Sequence, residues 1–127
     1  MKAFLAVNAV MYTVFALWCT LQPRQTAEFL GLSLPGPPAL SEFTAVYGGL
    51  EAGMAAFFAL GLLKPSLRKA VLVFALCLYA GLFVFRTTVV VRYGAEVGNT
   101  LGAYGLELVF LVWAVILSRK HLATPTA

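Results

Sequence analysis

The chain has 127 residues, of which 61% are hydrophobic and 11% charged, whereas a soluble domain carries about 25% charged residues. A soluble fold of this size has too little interior to hide so much apolar surface, so lipid must act as solvent for most of it. The net charge of +4 does not indicate nucleic acid, because the Lys and Arg residues stand between apolar runs and form no clustered basic face.

Four apolar runs, Ala3–Leu21, Phe43–Leu63, Ala70–Val91 and Leu101–Ser118, each come close to the roughly 20 residues that a helix needs to cross a bilayer. Helices are required because lipid offers no partner to open backbone groups. The first run follows Lys2 as a signal peptide would. Ala16-Leu17-Trp18-Cys19 lacks the small residues of a cleavage site, however, so the run is expected to stay as an anchor. Cys19 and Cys77 form no CxxC pair and lack histidines at ligand spacing, which signals neither redox nor zinc chemistry. No metal and no cofactor is expected.

The longest connection comes next. Pro23–Leu30 reads as a short helix with Phe29 and Leu30 on one face, lying in the membrane interface. Leu34-Pro35-Gly36-Pro37-Pro38 reads as a stiff extended link that cannot be helical. The connection is either a plain linker or a lid over the outer mouth of the helices. Helix-start signals follow for the later spans: Ser41 with Glu42 before the second, Ser66 before the third and Asn99-Thr100 before the fourth.

Loop charge sets the expected orientation. Lys2, Lys64, Arg68, Lys69, Arg119 and Lys120 fall on one side, and Arg24 and Arg92 on the other. The basic side faces the cytoplasm, which puts both termini inside. His121, beside Arg119 and Lys120, reads as a solvated or headgroup-level residue. Trp18 and Tyr93 then mark the outer interface and Trp113 lies nearer the inner one. The expected architecture is all-α, a single domain of four transmembrane helices forming a bundle.

Four polar residues lie within the spans: Asn8, Glu51, Arg86 and Glu107. Such groups are costly in a bilayer and usually face the bundle interior with a partner. Counting helical rise from the outer ends puts Arg86 about 8 Å deep, Glu107 about 9 Å and Glu51 about 12 Å. These three share a layer, and Asn8 lies toward the inner end. Antiparallel neighbours make Arg86 and Glu107 the natural ion pair. Glu51 would then share Arg86, accept from Tyr47 or Tyr104, or stay protonated in the low-dielectric interior. The layer of Tyr47, Glu51, Arg86, Tyr104 and Glu107 is the candidate site. It would bind a cationic group or carry a proton, or else serve only to set helix register.

Tyr47 precedes Glu51 by four residues and Tyr104 precedes Glu107 by three, so each pair shares a helix face. Both helices run from outside to inside, which suggests two related hairpins in parallel repeat, an arrangement found among transporters. Gly48, Gly49 and Gly53, with Ala45, Ala52 and Ala56, form two small-residue stripes suited to close helix packing. Gly94, Gly98 and Gly102 extend the pattern toward the fourth span.

The run Glu42-Phe43-Thr44-Ala45-Val46-Tyr47-Gly48-Gly49-Leu50-Glu51-Ala52-Gly53, followed by Lys64-Pro65 and a basic turn, resembles a family of small bacterial four-helix membrane proteins. That family is catalogued as a domain of unknown function. The resemblance covers nearly the whole chain and extends to Arg86 and Glu107. It implies the architecture and a bacterial inner-membrane location, and implies no reaction. A looser likeness to DoxX-type proteins rests on topology.

Two functions fit these expectations: binding or transport of a small amphipathic or cationic solute, and an accessory role packed against a larger membrane complex. Homo-oligomerisation suits four short helices that enclose little volume. Without a nucleophile–base pair or a ligand set, an enzyme ranks last.

Overall fold

The computed structural model describes residues 1–122. It is helical throughout its ordered elements and divides into two compact hairpins, Lys2–Leu63 and the chain from Lys64 onward. Among the described residues four helices are long and apolar enough to cross a membrane, and the protein is an all-α membrane protein.

In the first hairpin, α1 (Lys2–Leu21) is followed by the short α2 (Pro23–Phe29). The second span is then continuous from Pro37 to Leu63. It comprises α3 (Pro37–Phe43), a π-helical segment (Thr44–Leu50) and α4 (Glu51–Leu63). The expected extended link through Pro37-Pro38 is therefore too long, and the helix begins six residues before Phe43. Proline is tolerated in a first helical turn, where its missing N–H would have no intrahelical partner. Gly36 supplies the extended residue before it, and Ser41, expected at the boundary, lies inside α3.

The second hairpin opens with a 3₁₀ turn (Pro65–Leu67), then α5 (Arg68–Tyr93), a second 3₁₀ turn (Gly94–Val97) and α6 (Thr100–His121). Gly94 and Gly98 adopt φ of +56° and +60°, a region L side chains avoid, and this lets α5 turn tightly into α6. A Cβ at Gly94, Gly98 or Gly102 would meet nothing within 4 Å. The first two are thus turn residues and not the packing stripe expected of them.

Each hairpin has its own seam. Phe4, Leu5, Asn8 and Tyr12 of α1 are buried, and at identical spacing so are Val71, Leu72, Ala75 and Tyr79 of α5. Across these seams lie Met54, Phe58 and Gly61 of α4 and, again at identical spacing, Phe110, Ala114 and Leu117 of α6. Tyr12 stacks on Phe58 with ring centroids 5.6 Å apart, and Tyr79 on Phe110 at 5.2 Å. The outer faces remain apolar: Phe85 is 77% and Val91 80% exposed, as lipid-facing positions are. Asn8 is fully buried and its Nδ2 donates to the Phe4 carbonyl at 2.8 Å, which keeps its amide satisfied inside α1.

Candidate functional site

α2 closes one end of the first hairpin. Thr26 is fully buried, and its hydroxyl reaches the carbonyls of Gln22 at 2.9 Å and Trp18 at 3.3 Å. The Phe29 ring lies 5.4 Å from that of Trp18, and the Arg24 guanidinium donates to the Leu34 carbonyl at 3.2 Å. Cys19, Ala27 and Phe43 form a small core beneath this cover, with Phe15, Leu30, Leu34 and Tyr47 packed on it. Tyr47 also stacks on Phe43 at 4.7 Å.

The π-helical segment runs directly into Glu51. Thr44 starts it with a hydroxyl hydrogen bond to the Leu40 carbonyl, and such back-bonding bends helices. Single π turns inside α-helices recur at functional sites because they re-aim a side chain. Within this segment Gly48 comes closest to α1: a Cβ there would stand 2.6 Å from Thr20 Oγ1. The three expected packing glycines therefore differ. Gly49 has only the Thr44 carbonyl near its open side, at 3.9 Å, and Gly53 has nothing within 4 Å.

Glu51 lies where α1 meets the start of α4. Its Oε2 is fully buried and, among the described residues, has no hydrogen-bond partner. Leaving a buried acceptor unmatched is costly, more so for a charged group. An open groove of about 390 Å³ runs along α1 and α4, lined by Thr13, Ala16, Leu17, Thr20, Ala52, Ala55, Ala56 and Ala59; Glu51 precedes Ala52 and does not itself line it.

In the second hairpin the acid is matched. Arg86 Nε donates to Glu107 Oε2 at 2.8 Å and Nη2 to Oε1 at 2.7 Å, a two-point fork that holds both groups planar. The Glu107 side chain is 10% exposed and that of Arg86 29%. Tyr104, one turn before Glu107, stacks on Phe83 at 4.9 Å, and its hydroxyl lies 3.1 Å from Thr87 Oγ1.

The five expected site residues thus fall into two sets, Tyr47 and Glu51 in one hairpin and Arg86, Tyr104 and Glu107 in the other. Cys19 carries no redox or zinc signal in the sequence, and Thr20 and Thr87 carry no signal there at all. They become visible once the buried residues of α1 and α5 are aligned: Cys19-Thr20 then matches Arg86-Thr87, just as Glu51 matches Glu107. Among the described residues no three His, Cys, Asp or Glu side chains converge as metal ligands would.

A family model described as a domain of unknown function (DUF4345) matches residues 1–118, and the chain belongs to that family. No curated protein and no solved structure matches it.

Proposed function

We propose that this member of the family binds or transports a small amphipathic or cationic solute through Glu51. The observation that carries the reading is the buried, unpartnered Oε2 of Glu51, set against the fully forked Glu107. Intramembrane acids without a protein partner mark ion, proton or substrate paths more often than packing contacts. The groove along α1 and α4, about 390 Å³ and lined by alanines, threonines and Leu17, is of the size that small-molecule sites have. On this reading the groove takes the apolar body of the ligand, and the charged head is directed past Ala52 toward Glu51. On this reading the membrane is a bacterial inner membrane, and loop charge orients the chain with Glu51 in its outer half and both termini cytoplasmic.

The test is calorimetric titration of phenethylammonium into the purified chain in mild detergent, with Glu51→Gln alongside. Saturable binding that Glu51→Gln weakens at least ten-fold is expected. The reading fails if the natural chain takes up no ligand, or if Glu51→Gln binds it equally well.

A second reading, an accessory subunit in a larger membrane complex, is favoured by one observation. Gly53 leaves open space on α4, of the kind that another helix fills in lipid. Native purification would then yield a stoichiometric partner protein.

A further inference from the structure

The two hairpins share more than a topology. Thr20 abuts Gly48 in the first, and Thr87 meets Tyr104 in the second. Cys19 precedes Thr20 as Arg86 precedes Thr87, and Glu51 follows Gly48 by three residues as Glu107 follows Tyr104. The seams therefore pair in the same register, with Cys19 opposite Glu51 where Arg86 stands opposite Glu107. The first hairpin keeps the acid and replaces the base with a small thiol.

We infer that Glu51 is the receptor for a guanidinium or primary ammonium group, which takes the place that Arg86 fills in the second hairpin, and that Cys19 sets this specificity by being small and uncharged. This rests on the solute-binding reading and names its ligand class. Arg86 shows what the geometry selects: a planar donor offering two N–H groups to both carboxylate oxygens. A quaternary ammonium has the charge but no hydrogen to give, and would leave the acceptor unmatched. α2, packed over Cys19 through Ala27, covers the place from one end.

Three probes with one apolar body separate donor chemistry from charge. Phenethylguanidinium, phenethylammonium and phenethyltrimethylammonium are each titrated calorimetrically into the full chain in detergent. The two N–H donors are expected to bind at least ten-fold tighter than the quaternary ion. Equal affinities for all three overturn this inference and leave solute binding standing, whereas no binding by any probe overturns both. Cys19→Arg supplies the guanidinium within the chain. It should abolish binding of the N–H probes and melt at a higher temperature than the Cys19→Leu control, and adding Glu51→Gln should cancel that rise. A folded Cys19→Arg that still binds phenethylguanidinium like the natural chain also overturns the inference. Should Cys19→Arg not fold, the probe series on the natural chain decides alone.

Discussion

Removing the Arg86 guanidinium would leave Glu107 a carboxylate 10% exposed with its forked partner gone. Breaking a buried pair from one side costs about 3–5 kcal/mol, because the remaining charge is desolvated and uncompensated. Arg86 keeps 29% exposure, so protein encloses the pair only in part and the lower end of that range applies, about 3 kcal/mol. Glu107→Ala should cost less, since the longer Arg86 side chain can lift its charge toward the headgroups. The double variant should recover part of the loss, with a coupling energy of about 1–2 kcal/mol for two groups in direct contact. Polar contacts in lipid tend to the small side of such values, since partly unfolded states in the membrane find partners too. The assay is unfolding in mixed micelles by titration with a denaturing detergent, run on the natural chain, both single variants and the double. Strictly additive losses would remove the ion pair from the energetics of the second hairpin. A loss below about 1 kcal/mol for Arg86→Ala would mean that the pair behaves as an exposed one.

Two further outcomes follow from the packing and the charge pattern. Gly48→Leu must push Thr20 away from a contact that already leaves a Cβ only 2.6 Å, and should destabilise the first hairpin by about 1–3 kcal/mol. Gly53→Leu meets open space and should melt like the natural chain, so a clear loss there would reveal a second helix on that face, as the accessory reading requires. In a chain lacking its native cysteines, single cysteines at positions 66 and 122 should label only from the cytoplasmic side, and those at positions 36 and 97 only from outside. The opposite pattern would reverse the orientation.

Much of this protein is legible before any folding is considered. Run length and hydropathy locate all four spans, because the bilayer imposes a minimum length on a helix and excludes charge from it. Arg86 and Glu107 are also readable as partners: one rises and the other descends in adjacent antiparallel helices, so equal depth brings them level. The likeness of Tyr47-to-Glu51 and Tyr104-to-Glu107 suggests a repeat from the sequence, without fixing a register. The buried seams align Gly48, and not Tyr47, with Tyr104.

What the sequence left open is which face of each helix is buried. In a soluble helix the apolar stripe marks the core. Here lipid rewards apolar residues all round, so Phe85 at 77% exposure and Phe58 at none look alike in the sequence. Tertiary structure alone decided that Gly48, and neither Gly49 nor Gly53, meets α1. It also decided that Pro37 starts a helix, and that Thr20 is the α1 residue that comes closest to Gly48. Those choices depend on side chains from separate helices meeting at one height, and a sequence whose every face is greasy carries no signal of that meeting.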